Sequence, residues 1–323
     1  MAILKNKTMK IFKTLLFLVL ALSMHSKVSA ETWNEPWQKE IIKNADYFVL
    51  AKVLSNVDSV GTEIEVIKYF GNQKLEGRLL INGFSLLKMT SSSGQGVHLD
   101  FEKDQTLYFL LNKRKDGHYA IATPTSGYAF LDSDKNVYAT YRHSYHQALI
   151  SQDIYEKTYT EIWNYYKTGK FDNDKILPFI NEYIGKSPAG FGEDEISIFF
   201  LQHAAMETAY LLDMQIELER LKKFVESDNF HSRVSALQLL GNLETESVKD
   251  YLFGFILNEQ NGNFEKVIAI WSLNRIGGEV YKKKLLDIVD KLSDEDTGFG
   301  GNLMDPRVGT HFPSPKSAVL GLR

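Results

Sequence analysis

The chain has 323 residues, 44% hydrophobic and 24% charged, which is apolar enough to bury a sizeable core and long enough for two domains. Its formal charge is −4, a poor match for the lysine and arginine footprint that nucleic acid requires, so a nucleic-acid role is not expected. With no cysteine anywhere, neither a disulfide framework nor a lipid-modified cysteine is available.

Residues 1–30 read as an export leader. Lys5, Lys7, Lys10 and Lys13 form a positive start, LLFLVLALSM (15–24) an apolar core, and Val28-Ser29-Ala30 the small residues a signal peptidase needs. That run is shorter than the about 20 residues of a stable spanning helix, so the mature chain is expected to begin near Glu31 with no transmembrane segment. The leader takes five lysines and no acids with it, leaving 32 basic against 41 acidic side chains and a formal charge of −9. The expected setting is bacterial, periplasmic or secreted, and core packing must hold the protein together.

Next come Trp33 and Trp37, ahead of a short helical pattern at 38–44. Large aromatics here are expected to cover one end of the strand-rich barrel that follows, with a carbohydrate or peptide platform as the alternative. From Ala45 to Tyr141 the apolar stretches are short, β-branched or aromatic, and separated by Gly, Asn, Asp and Ser: YFVLAKVL, TEIEVIKYF, RLLING, TLYFLL, HYAIAT, GYAFL and VYATY. Those are strand signals. In TEIEVIKYF, Ile64 and Val66 alternate with Glu63 and Glu65, as suits a strand with one wet face. Asp116-Gly117 and the stretch 132–136 supply turns. SSSGQG (91–96) is flexible by composition, and its serines sit in no nucleophile motif. Five or more strands at this spacing predict a small antiparallel barrel or sandwich over residues 31–150.

YRHSYHQ (141–147) is the densest polar and aromatic cluster. If it starts a helix, His143 and His146 share a face as zinc ligands often do, yet no third ligand stands nearby and no H-E-x-x-H occurs. Catalysis lacks an orienting carboxylate and oxyanion-hole glycines. Tyr141, Arg142, His143, Tyr145 and His146 are expected either to pack where the two halves meet or to form an interaction surface, as tyrosine and arginine do where one end is apolar and the other wet. DSDKN (132–136) opens like a calcium loop, but Val137 and His143 stand where glycine and glutamate are required. DEDTGFGGN (294–302) is a solvated charge run beside glycines, without the features of a phosphate loop. No catalytic, cofactor or metal residues are assigned.

After residue 150 the period becomes helical. Ile154, Thr158, Ile162 and Tyr165 fall at three- and four-residue steps. Val234, Ala236, Leu237, Leu240 and Leu243 recur 33 residues later as Val267, Ala269, Ile270, Leu273 and Ile276. Val248, Leu252, Phe255 and Ile256 recur as Tyr281, Leu285, Ile288 and Val289, and a weaker copy includes His203, Ala205, Met206, Ala209 and Leu212 at a 31-residue offset. Small residues such as Ala236 and Ala269 let helices approach, so each pair buries its face against the next, which predicts a helical solenoid over 151–323.

HSRVSALQLLGNL, ESVKDYLFGFIL, FEKVIAIWSLNRIGG and VYKKKLLDIVDKL together resemble HEAT-like repeats over about residues 193 to 323. After Leu292 the spacing breaks, leaving 293–323 as a further repeat, a cap or a loop that folds back. ADYFVLAKVLS, GTEIEVIKYF and FEKDQTLYFLLNK resemble exported OB-fold domains of the netrin and metalloproteinase-inhibitor kind. The resemblance implies a barrel; the cysteine with which those inhibitors chelate zinc is missing.

The expected fold class is therefore α+β: an OB-like antiparallel barrel followed by a HEAT-like α-solenoid. The expected function is an exported, non-enzymatic binding or scaffold protein, with the helical array as the surface for a protein or peptide partner in the cell envelope. The alternative is an envelope enzyme or enzyme accessory acting on a polysaccharide or peptide at the barrel edge. An unsealed last repeat would add self-association through the C-terminal end.

Overall fold

The computed structural model describes residues 33–57, 60–87, 99–301 and 308–322; the leader and the serine-rich stretch 91–96 lie outside them. A two-residue strand β1 (Trp33–Asn34) and a short helix α1 (Gln38–Asn44) lead into the strands. β2 (Tyr47–Val57), β3 (Gly61–Phe70) and β4 (Gly77–Phe84) pair antiparallel in succession. β5 (Thr106–Lys113) pairs with β6 (Tyr119–Ile121) and also returns to β2, from Tyr47↔Leu111 to Lys52↔Thr106, which closes a five-stranded barrel. One junction differs from the antiparallel expectation. β6 slots in parallel to β4, because the connection from β4 crosses over to β5 before β6 fills the gap. β7 (Tyr128–Leu131), β8 (Asn136–Ala139) and β9 (Ala148–Ser151) extend the sheet from β5. The turn into β8 is held by Asp132, whose side chain accepts from the backbone N–H groups of Asp134 and Asn136.

The continuous apolar runs of β2 and β5 follow from burial on both faces. Val49, Ala51, Val53, Leu107, Phe109 and Leu111 fill the barrel with Ile64, Ile81 and Ile121. Their alternates Phe48, Leu50, Tyr108 and Leu110 point the other way, into a second core shared with the helices. Phe48 stacks on Phe70 at 4.4 Å and meets Tyr159 and Trp163 at 5.8 and 6.0 Å. Gly71 shows how close that seam is: it sits at φ 77°, and a β-carbon there would come within 2.6 Å of Trp163 Nε1. From Trp33 onward the chain is one compact unit.

Tyr159 and Trp163 belong to α2 (Gln152–Thr168), which Ser151 starts by accepting from the Ile154 N–H. There follow α3 (Asn173–Gly185), α4 (Ile196–Leu211), α5 (Leu218–Val225), α6 (Phe230–Leu240), α7 (Glu246–Leu257) and α8 (Asn263–Asp287). α8 is broken at Gly278, whose φ of 58° and ψ of −166° leave the helical region. α4 packs on α6 and α6 on α8, while α3, α5 and α7 each lie against the next helix of that row. Ala205, Ala236 and Ala269 are fully buried there. No helix among the described residues is long and apolar enough to cross a membrane.

The last segment folds back. β10 (Thr297–Gly301) and β11 (Val308–Phe312) form a hairpin, β11 runs parallel to β1 with Trp33 opposite Val308, and α9 (Pro315–Leu320) packs on α8. Phe312, Ala318 and Val319 are buried by this return, while Val280, Leu286 and Leu320 of the last two helices stay exposed.

Because Phe48 serves the shared core, Phe48→Ala is expected to cost about 3–5 kcal/mol. Urea unfolding followed by far-UV circular dichroism and by tryptophan fluorescence should show both midpoints falling together. A helical signal that kept its midpoint while the fluorescence moved would mean that the two cores unfold independently.

Candidate functional site

The connection from β8 to β9, residues 140–147, turns inward beneath the helical row and carries the cluster singled out in the sequence. It is not a helix, so His143 and His146 do not share a helical face. Tyr141, Arg142, His143, Tyr145 and His146 are 0 to 6% exposed, which makes them the buried seat of the junction; any binding surface has to lie outward of them. Tyr141 Oη lies 2.6 Å from Thr158 Oγ1, tying the connection to α2.

A guanidinium this deep needs an anion. Arg142 Nη1 stands 3.4 Å from Glu207 Oε1 of α4, both side chains being closed to water. Ser235 of α6 donates to the same carboxylate oxygen at 2.7 Å, and Gln238 Nε2 reaches Oε2 at 3.5 Å. His203 Nδ1 lies 3.2 Å from Ser235 Oγ. Burial pushes the Glu207 carboxyl up, against the pull of Arg142 and the Ser235 hydroxyl. Arg142 also stands over the Tyr145 ring at 5.3 Å, and its carbonyl accepts from the Gln38 N–H at 2.8 Å, which anchors α1. The Nε and Nη2 atoms of Arg142 are buried and have no hydrogen-bond partner.

The histidines divide. His143 stacks on Tyr145 at 5.0 Å, with Nε2 3.2 Å from the Glu35 carbonyl. His146 stacks on His231 at 4.0 Å with planes 18° apart and meets His203 edge-on at 4.2 Å. Stacked imidazoles carry their ring nitrogens in parallel planes and cannot turn them together onto one ion. Among the described residues, no group of three or more His, Asp or Glu side chains is arranged to hold a metal. Burial drives His143 down to about 4 and His231 to about 3, with Arg142 adding to both. It also holds His146 and His203 well below the usual imidazole range, reinforced by their neighbouring imidazoles and Arg142.

Beside this buried network opens a cleft of about 460 Å³. Trp37, Lys39, Glu40, Lys43 and Asn44 line it from the side of α1, Tyr141 and Arg142 from the β8–β9 connection, Tyr210 from the end of α4, Gln238 from α6, and Trp271, Ser272 and Arg275 from α8. Trp37 and Trp271 meet edge to face at 6.1 Å, and Phe312 from the returning hairpin stands 5.7 Å from Trp37. Trp37 thus belongs to the junction with the helices, where the sequence reading had it covering one end of the barrel. Arg275 and Lys39 both lie over the Tyr210 ring and share one acid, Asp213, with Lys39 at 3.8 Å and Arg275 hydrogen-bonded to it. Burial lowers the Lys39 amine; Asp213 opposes this, while the Arg275 and Lys43 charges add to it.

No protein-family model, curated protein or solved structure matches the chain. The site therefore has to be read from its own chemistry. Glu207, Ser235, His231, Trp271 and Arg275 were not singled out in the sequence. One signal was available: His203 and Glu207 are polar residues one helical turn apart in a stretch otherwise set in apolar register, HAAMETAYLL, and polar groups there need partners from elsewhere.

Two outcomes are expected. Each histidine is held neutral when folded but takes a proton near pH 6.5 when unfolded, so stability is full above that pH and is lost as pH falls toward the depressed folded values. At pH 5 each should cost about 1–2 kcal/mol relative to pH 7. Glu207 works in the opposite sense, one group against four. Urea midpoints measured at both pH values would expose the loss; equal midpoints would mean that the imidazoles are not held neutral. Separately, Glu207→Ala leaves Arg142 unpaired and should lower stability by about 3–5 kcal/mol, whereas a loss under 1 kcal/mol in the same assay would deny the pair any structural part.

Proposed function

We propose that the protein is an exported, non-enzymatic binding protein that takes a peptide segment of a partner into the cleft between α1 and α8. The observation that carries this reading is the lining itself: two tryptophans on separate elements face one cavity, with Tyr210 and four cations around them. Tryptophan, tyrosine and arginine supply most of the binding energy at protein interfaces, because they bury large rigid surfaces while keeping a polar handle. A volume of about 460 Å³ falls in the range of pockets that hold small ligands or a few residues of peptide.

The wider architecture is consistent with that task. The 33-residue recurrence between α6 and the first part of α8 supports a HEAT-like row, and rows of this kind present extended binding faces. The five-stranded closed barrel supports an OB-like N-terminal half, and the lysine-then-apolar leader supports export to the periplasm or the medium. The barrel packs the β8–β9 connection against the helices and so builds the inner wall of the cleft.

Panning a library of displayed peptides against the purified chain, beside Trp271→Ala, tests the reading. Peptides should be enriched, and their affinity should fall by tenfold or more, about 1.4 kcal/mol, in the variant, whose circular dichroism should match the parent. No enrichment over an unrelated protein, or enriched peptides indifferent to Trp271, would reject it.

A further inference from the structure

Within that peptide-binding reading, the occupant can be specified. We infer that the cleft captures the C-terminal end of a peptide chain, with the terminal carboxylate drawn to Lys43 and Arg275, backed by the buried charge of Arg142, and the last side chain, apolar or aromatic, set against Trp37 and Trp271.

The first ground is Arg142. A guanidinium offers five N–H donors. Here Nη1 serves Glu207 and Ser235, while Nε and Nη2, the pair that forms the side-on fork matching a carboxylate's two oxygens, have no acceptor in the protein. The Arg142 side chain is closed to water behind the cleft wall, so these donors meet no ligand directly, and the incompletely compensated guanidinium acts on the cleft as a nearby positive charge.

Charge is the second ground. Lys39, Lys43, Arg142 and Arg275 line the cleft with one acid, Glu40. The acids that reach these cations from behind are Glu207, which pairs with Arg142, and Asp213, which Lys39 and Arg275 share. Four cations against three carboxylates leave one positive charge, the complement of a single carboxylate. This stands out on a chain whose formal charge is −4. Lys43 makes no ion pair among the described residues and instead stands over the Tyr166 ring at 6.0 Å.

Size and hydrogen bonding favour a chain end over a segment running through. A cavity of about 460 Å³ accommodates a few residues, and Asn44, Gln238 and Ser272 offer amide and hydroxyl groups to a peptide backbone. Water exclusion between the two indoles would strengthen the carboxylate's attraction to the cations.

The test uses two matched pools of N-acetylated tetrapeptides ending in Phe or Leu, one with a free C-terminal carboxylate and one amidated, titrated calorimetrically into the full-length mature chain. The free-acid pool should bind at least tenfold more tightly, and Lys43→Gln with Arg275→Gln should bring it close to the amidated pool. Both side chains are exposed at the rim, the circular dichroism of the variant should match the parent, and Arg142 is left in place. Raising the salt concentration should weaken the free-acid pool more than the amidated one. Equal affinity for the two pools overturns the carboxylate inference while leaving peptide binding intact. Binding by neither pool removes both.

Discussion

The junction is organised by one buried charge. Arg142 enters the interior on a backbone connection, where an unpaired guanidinium is not tolerated, and the carboxylate that answers it comes from α4, with Ser235 of α6 bonded to the same oxygen. Two helices of the row are thereby indexed to one residue of the barrel half. The carbonyl of Arg142 also receives the start of α1, so the same residue holds the third wall of the cleft. Such a pair adds little net stability over a well-packed apolar substitute, but it penalises any arrangement in which α4 or α6 slides by a turn.

Apolar packing does the rest. β2 and β5 send alternate side chains into the barrel and into the helical core, so neither half can bury its surface without the other. The returning hairpin adds a second tie, because β11 pairs with β1 at the opposite end of the described chain, and Phe312 packs beside Trp37 and Trp271. A cleft with walls from α1, the β8–β9 connection, α4, α6 and α8 is therefore stiffened on every side. Pre-organisation of this kind spares a ligand the entropy of ordering its site.

The buried imidazoles add a chemical condition to that scaffold. His146, His203 and His231 are packed face to face and edge to face, neutral, and close to the Arg142 charge. Protonating one would place a second cation against the first in a region closed to water. The network that positions the cleft is thus intact at neutral pH and strained in acid, which couples site geometry to the pH of the compartment.

Several features were legible in the sequence because they are local. Short β-branched and aromatic runs set between turn residues over 45–141, and a period near 3.6 after residue 150, were enough to give the α+β order of barrel and helices, since each signal depends only on neighbouring side chains. The unusual density of YRHSYHQ marked the junction, yet not its inside: a run of Tyr, Arg and His reads the same whether it faces water or a core. Only the tertiary structure decided that. Glu207, His203, Ser235 and His231 lie some 60 to 90 residues further along the chain, and Trp271 and Arg275 further still. No local period encodes which of them Arg142 will meet. The parallel pairing of β4 with β6 and the return of β11 to β1 are of the same kind, long-range pairings chosen by the need to bury two sheets' worth of apolar surface at once. Local periodicity wrote the elements, and the long-range demand to satisfy a buried charge and close a shared core arranged them into a site.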